Sequence, residues 1–479
     1  MATTLNPARP FPGAGKYPLD AGHCDEAFAP TGTPRTPYVE VLDALARQNL
    51  VVLRERVRSN AASLGLGFGP GRAIAVDPVP RLIEASEWKP LEAGLAQRAK
   101  ALNAFLADVY GGQRIFDAGL VPRRLLETSP GYEPRMQGLL DPDLAAAMVA
   151  GLDLVRDSEG ELRVLEDNLR MPSGATYALA VREAVAPELG LATEPAPLGD
   201  YVALLGAAIR AAAPDGGSDP SAALVSDGPD SGAWYEHRRL GRELDLPVVV
   251  PQQLEQNKGR LYFRRGRNRT QLDVLYRRLD EDRLSTADGG LTALGELLLG
   301  PLEAGRLRCV NAFGTGIGDD KLAHAYVERM IDFYLGEEPL LRSVPSFDLA
   351  DEAVREQVLG RLDDLVIKPR NGFGGHGVTI MQRATVAQRR RAIGLLRRAP
   401  ERFIAQDTVP LSSHPTVCGG GLRPRRVDLR PFVVSGPGQT AAMPGGLTRF
   451  ARGAGEMVVN SSRGGGCKDT WLLRRREPR

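Results

Sequence analysis

Glu166 and Asn168, in the run Val164-Leu-Glu-Asp-Asn168, carry the first chemistry that the chain suggests. The apolar start of this run, and the turn at Asp157–Gly160 before it, predict a strand. On a strand, residues two apart share a face. A carboxylate and a carboxamide oxygen side by side form a hard-oxygen pair, suited to Mg²⁺ rather than to zinc. Asp153, in Gly151-Leu-Asp-Leu-Val155, lies on a second short apolar run, and a hairpin between the two brings it beside Glu166. Taken alone, an acidic strand end facing water is the competing reading.

A second constellation is Leu365-Val-Ile-Lys368 followed by Pro-Arg-Asn-Gly-Phe-Gly-Gly-His-Gly377. A lysine that ends an apolar strand ahead of Gly372, Gly374, Gly375 and Gly377 suits a polyphosphate. Glycine lets backbone N–H groups converge on the anion, and the ammonium adds a point charge. No Gly-Lys-Ser/Thr is present, so this is not a Walker A loop, and an ordinary glycine-rich hairpin is the alternative. Lys321 starts a helix after Asn311–Gly318, a stretch like a dinucleotide fingerprint that Asp319 breaks. Phe403-Ile-Ala-Gln406 is an apolar strand that could line an adenine pocket or a core. Asp428 and Arg430 share one strand face, and Arg449 follows. Inward arginines can neutralise a phosphoryl group in transfer, whereas isolated ones form surface ion pairs. Arg277 and Arg278, at another strand end, are candidates for a carboxylate substrate or a charged strand end.

The elements that must position these groups follow from periodicity. Helices are predicted over Tyr38–Ser63, Glu87–Tyr110, Thr176–Val185 and Tyr201–Ala213, with a break at Pro78–Pro80. Pro214–Pro220 is the best candidate linker. Beyond it, the short strands Ala222–Ser226, Pro247–Val250, Gly259–Arg264, Leu272–Leu279 and Leu307–Val310 alternate with helices, which predicts a small α/β unit with a parallel sheet. The helix Lys321–Leu335, the Arg-rich helix Val386–Arg398, and strands over Arg402–Gln406, Val427–Val434 and Glu456–Asn460 complete the pattern.

Composition narrows the function. A chain of 479 residues holds two to four domains. A net charge of +2 makes no demand for nucleic acid or an anionic membrane. There is no apolar run of transmembrane length and no secretory signal pattern, so a cytoplasmic protein is expected. Four scattered cysteines form no CxxC, and five histidines show neither HxH nor HExxH. No GxSxG is present, which leaves nucleophilic hydrolysis without support.

Together the pieces resemble the circularly permuted ATP-grasp family, proteins similar to the C-terminal domain of glutathionylspermidine synthase. Ordinary ATP-grasp ligases run from a lysine at a helix start, through a lysine before a glycine loop, a hinge strand and an Asp-x-Arg strand, to a metal-binding Asp and a Glu-x-Asn. Here Lys321, Lys368, Phe403–Gln406 and Asp428/Arg430 keep that order, while Asp153, Glu166 and Asn168 stand ahead of them all. Family-like stretches also include Glu87-Trp88, Gly314-Thr-Gly316, Tyr334–Pro339, His414-Pro415 and Lys468–Trp471. Phe313, His376 and Cys467 stand where the family usually has proline, an aromatic and serine.

The resemblance implies an α/β (α+β) fold in five segments. These are an N-terminal extension and helical region (1–130), the permuted metal-binding part (131–215), a pre-ATP-grasp-like α/β domain (216–310), the glycine-loop subdomain (311–400) and the remainder of the C-terminal subdomain (401–479). It implies an ATP-dependent carboxylate–amine ligase working through an acyl phosphate. An ATP-binding scaffold and a small-molecule phosphotransferase are the alternatives. ATP would lie on Lys321, Lys368, Gly372, Gly374, Gly375, Gly377, Gln406 and Asp428. One or two Mg²⁺ ions, or Mn²⁺, would lie on Asp153, Glu166 and Asn168. Arg430, Arg449 and Arg170 would act on the transferred group and the substrate. Partners would be small-molecule or peptide carboxylates and amines, with no nucleic acid or membrane. Oligomeric state is left open.

Overall fold

The run 149–168 forms the hairpin that its turn predicts. Strands Val149–Arg156 and Leu162–Asn168 pair antiparallel with Asp153 opposite Glu166 and Gly151 opposite Asn168, and a register shift follows Asp153. The computed structural model describes residues 17–20, 22–69, 71–198, 200–214, 220–372, 375–436, 438–459 and 464–473.

This hairpin is built into the middle of a nine-stranded sheet. Val149–Arg156 lies between Gly421–Arg430 and Phe432–Gly436, pairing Leu154 with Leu429 and Gly151 with Phe432. The front of the chain therefore completes a sheet made mostly by its end, which is the rotated order expected of a permutation. Gly151 permits the close approach: a Cβ there would sit 2.6 Å from Cβ of Pro172.

The predicted break at Pro78–Pro80 is instead part of the strand Ala75–Glu84. It pairs in parallel with Gly466–Leu473 at the end of the sheet path, and its register shifts between Asp77 and Arg81. Edges and bulges are where a residue lacking an N–H fits a sheet. The predicted strand Val427–Val434 is two strands, Gly421–Arg430 and Phe432–Gly436, parted at Pro431. Residues 456–459 are not a strand, and Asn460 lies outside the described residues.

Four parallel strands, in the order Arg308–Val310, Val274–Arg278, Ala222–Ser226 and Val248–Val249, make the small α/β unit that the alternation predicts. The meander Leu254–Asn257, Arg260–Arg265 and Asn268–Leu272 is inserted into it. A third sheet, Ser346–Asp348, Phe403–Asp407, Leu365–Pro369 and Thr379–Ile380, is antiparallel. Its own core is built on Leu349, Leu365, Leu396 and Ala405. Val386–Arg398 packs there, started by a Thr385/Gln388 capping box.

The predicted helix Lys321–Leu335 is broken into Lys321–His324 and Val327–Leu335. Asp320 caps the first piece by accepting from Leu322 N (2.9 Å), which fixes where Lys321 leaves the backbone.

Candidate active site

A cleft of about 810 Å³ opens where the three sheets meet. The hairpin supplies Asp153, Glu166 and Asn168 to its wall. The glycine-loop unit supplies Lys321, Lys368, Gly372, Gly375 and Gln406, and the end of the chain supplies Asp428, Arg430 and Arg449. Arg170 also lines it. Gly377 does not border the cleft. With φ near +73°, it turns the loop where a Cβ would press on Pro369 Cγ at 2.8 Å. Gly374 lies outside the described residues.

Alternation on the hairpin strand decides which side chains face the cleft. Glu166 and Asn168 line it, and the side chain of the intervening Asp167 is fully buried, paired with Arg98. Arg98 donates to Asp167 from Nε (2.6 Å) and Nη2 (2.8 Å), and His324 Nδ1 lies 2.7 Å from Asp167 Oδ2. Burial opposes ionisation of Asp167, but Arg98 and His324 outweigh it and hold the carboxyl below its usual range. Reading the sequence for cleft residues overlooked this anchor. The signal for it was the acid between Glu166 and Asn168, on the other strand face.

The two lysines approach from the opposite wall. Lys321 Nζ donates to the Gly372 carbonyl (2.6 Å) and lies 3.6 Å from Glu166 Oε2. Lys368 donates to Gln406 Oε1, while Gln406 Nε2 donates to Leu165 O (3.1 Å) and Ser346 Oγ (2.9 Å). Gln406 thus ties the lysine-bearing sheet to the hairpin. Burial pushes the Lys368 pKa down to about 8; Glu166 opposes the shift and Lys321 adds to it. A buried cation of this kind is held ready for an anion that the protein itself does not supply.

At the floor, four charges interlock. Arg430 donates to Asp153 from Nε (2.5 Å) and Nη2 (2.7 Å), and Arg449 Nη2 donates to Asp153 (2.8 Å). Arg449 also grips Asp428 from Nε (2.9 Å) and Nη2 (2.5 Å). Burial raises the Asp153 pKa, but the two guanidiniums outweigh it and keep the carboxylate ionised. Asp428 moves the other way: burial, helped by Asp153, raises its pKa against the pull of Arg449.

Mg²⁺ fits this donor set in part. Glu166 is partly open, and the buried Asn168 Nδ2 has no partner among the described residues. Both Asp153 oxygens accept from arginines, so a cation there would have to share or displace them. Among the described residues no three His, Cys, Asp or Glu side chains converge as a metal set. The set here is two acids and an amide.

The candidate substrate arginines part ways. Arg277 turns away from the cleft: it donates to Asn311 O (3.2 Å) and Ala312 O (3.1 Å) and covers the Phe313 ring at 4.3 Å. Arg278 lines the cleft, paired with Glu236 at 3.0 Å. Arg170 faces Asp282 at 3.4 Å, and its backbone N–H donates to Asp319 Oδ1 (3.1 Å). Burial raises the Asp319 pKa to about 7 against the lowering effects of the Leu169 and Arg170 backbone N–H groups, the Arg170 guanidinium and Lys321.

No helix among the described residues is long and apolar enough to cross a membrane. Comparison with known proteins agrees with the geometry. The model of the family described as circularly permuted ATP-grasp type 2 matches residues 80–451. An uncharacterised Mycobacterium leprae protein is 38% identical over 94% of this chain and 82% of its own length. A Synechocystis protein, also uncharacterised, is 36% identical over 94% of this chain and 96% of its own. A Frankia alni protein provisionally named a glutamate–cysteine ligase is 41% identical over 94% of this chain, which spans 54% of that protein. The chain belongs to the circularly permuted ATP-grasp type 2 family.

Proposed function

We propose that the protein is an ATP-dependent carboxylate–amine ligase that forms an amide through an acyl phosphate. The observation that carries this reading is the convergence of two lysines and a glycine loop, a Glu/Asn pair and two arginines on one cleft, from segments far apart in sequence. In this reading Lys321, Lys368 and the loop through Gly372 and Gly375 hold the phosphate tail, and Gln406 borders the base. Glu166 and Asn168 hold Mg²⁺, with Asp153 as a third ligand. The ion would supply charge neutralisation between the phosphates during transfer.

The chain's own residues then do two things. Arg430 and Arg449 are balanced by Asp153 and Asp428 in the nucleotide-free state, one cation to one anion. An incoming phosphoryl group takes up their donors, and Asp153, released from them, would then join Glu166 and Asn168 in holding the cation. Lys368 meanwhile recovers, on the phosphates, the charge stabilisation that burial denies it. No side chain need act as a covalent nucleophile; alignment and charge neutralisation carry the reaction. Arg170 is assigned to the substrate side of the cleft, and the five-segment division stands as the domain proposal.

The name of the Frankia relative does not transfer its substrates, because nearly half of that protein lies outside the match. Substrates are best sought among amino acids, short peptides and polyamines. The test is ADP release across such a panel with Mg-ATP, with hydroxylamine present. An acyl phosphate yields a hydroxamate. ADP release without a hydroxamate for any carboxylate, or no ADP release at all, rejects the ligase reading.

A further inference from the structure

Beyond the phosphate-handling residues, the cleft continues to a wall that the proposed reaction has not yet used. It is lined by Ser231–Ala233, His237 and Arg278 together with Phe68, Ile74 and Tyr177. Ser173 links it to the reacting centre. Arg430 Nη1 donates to the Ser173 carbonyl (3.3 Å), and Arg278 Nη2 donates to the Ser173 hydroxyl (2.5 Å). Arg278 therefore stands one residue's width from Arg430.

His237 is 3% exposed, sits in the first turns of the helix Trp234–Glu243 and borders the cleft. Its Nδ1 lies 2.7 Å from Ser226 Oγ, and that oxygen already accepts from Gly228 N (3.0 Å). Among the described residues, Nδ1 is the acceptor left for the hydroxyl proton. Ser226 therefore donates to Nδ1, and the ring proton belongs on Nε2. Nε2 has no partner among the described residues and is the nitrogen left for the cleft. Burial and the neighbouring Arg278 guanidinium push the ring's pKa down to about 3, so it donates as a neutral group.

Two neighbours favour an oxygen acceptor, although Asp280 and Asp282 line the same cleft. Residues 231–233 lead into the positive end of a ten-residue helix. Glu236 beside them is fully engaged, accepting from Gly174 N, Thr176 N and Arg278. Tyr177, which also lines this end, donates its hydroxyl to Gly67 O (2.9 Å), so it offers its ring rather than a polar group.

We propose that this end of the cleft is a carboxylate subsite, taking an acid carried on an apolar or aromatic chain and reading it through His237 Nε2–H beside Arg278. That this acid is the ligase substrate rests on the proposed function; that a carboxylate binds here does not.

The test uses the full chain with ¹⁵N-labelled histidine, with Mg-AMP-PNP absent and present. Long-range ¹H–¹⁵N correlation spectra report tautomers, and His237→Gln assigns the signal. The probes are N-acetyl-L-phenylalanine, N-acetyl-L-glutamate, the amide of the first, and phenethylamine. The Nε2–H tautomer at neutral pH is expected, with saturable shifts from the carboxylates and none from the amide. His237→Ala should weaken carboxylate binding about tenfold or more, while His237→Gln, which keeps an N–H donor, should retain most of it. An imidazolium or an Nδ1–H tautomer overturns the proposal. So does binding of the amide or amine in place of the acids, which would make the nearby Asp280 the reader. Failure of both acids to bind, or an unaffected His237→Ala, also overturns it. Loss of AMP-PNP binding in the same samples counts against the ligase reading and leaves this result standing.

Discussion

Lys368→Met should make the nucleotide-free protein slightly more stable while weakening nucleotide binding. Lys368 is 7% exposed, and burial brings its pKa from 10.5 down to about 8. At about 1.4 kcal/mol per unit, that shift corresponds to roughly 3 kcal/mol of penalty for keeping the ammonium charged inside the fold. Methionine removes the penalty and gives up the charge-assisted hydrogen bond to Gln406, about 1.5–3 kcal/mol, so a net gain of about 0–1.5 kcal/mol remains. The pH dependence has a definite sign. Below pH 8 the lysine is charged in both folded and unfolded chains, and the wild type bears the full penalty. Between pH 8 and 10.5 the folded state sheds its proton first, so wild-type stability rises relative to the variant, and the gap closes above that window. A charge-assisted hydrogen bond to phosphate contributes about 1.5–3 kcal/mol, so AMP-PNP should bind roughly 10- to 150-fold more weakly. Thermal unfolding from pH 7 to 10 and calorimetric titration with AMP-PNP measure both effects. A variant less stable than wild type at pH 7, or one binding AMP-PNP within about twofold of wild type, would refute the reasoning.

Arg98→Ala leaves Asp167 buried and short of its main partner, so a loss of about 3–5 kcal/mol in denaturant unfolding is expected, together with a higher Mg²⁺ requirement for nucleotide binding. Unchanged stability would show that the anchor is idle. Gly131→Ala would put a Cβ 2.2 Å from the backbone carbon of Gly316, and a rise in unfolding tendency of about 1–3 kcal/mol should follow; a neutral effect would mean that the 130–132 turn yields. Asp319, with its pKa raised to about 7, stays protonated in the fold while the unfolded carboxyl ionises from about 3.8. Its contribution to stability is therefore present at low pH and is lost as pH rises toward 7. Asp319→Asn should flatten that part of the stability–pH curve, and an identical curve would contradict the assignment.

The elements with strong local signals were legible from the sequence. Ala222–Ser226 and Val386–Arg398 have the expected bounds, and the 149–168 hairpin forms with Asp153 opposite Glu166. What escaped notice depends on distant partners. Pro78 and Pro80 read as a break because a local rule cannot see that their strand lies at a sheet edge beside residues 466–473. The Arg98–Asp167–His324 anchor joins segments 69 and 157 residues apart, and no periodicity announces it. Arg277 and Arg278 look alike in sequence; alternation on one strand sends the first into backbone carbonyls and the second to the cleft. His237 carried no motif at all, and its interest comes only from Ser226 below it.

The central claim is that residues 153–168 form the metal half of a site whose nucleotide half lies more than 150 residues downstream. The most direct measurement is AMP-PNP affinity across a Mg²⁺ titration, in wild type and in Glu166→Ala. The account predicts that Mg²⁺ tightens binding to the wild type by about tenfold or more and that this enhancement is lost in the variant, while metal-free affinity stays nearly the same. An equal Mg²⁺ enhancement in both proteins would contradict it.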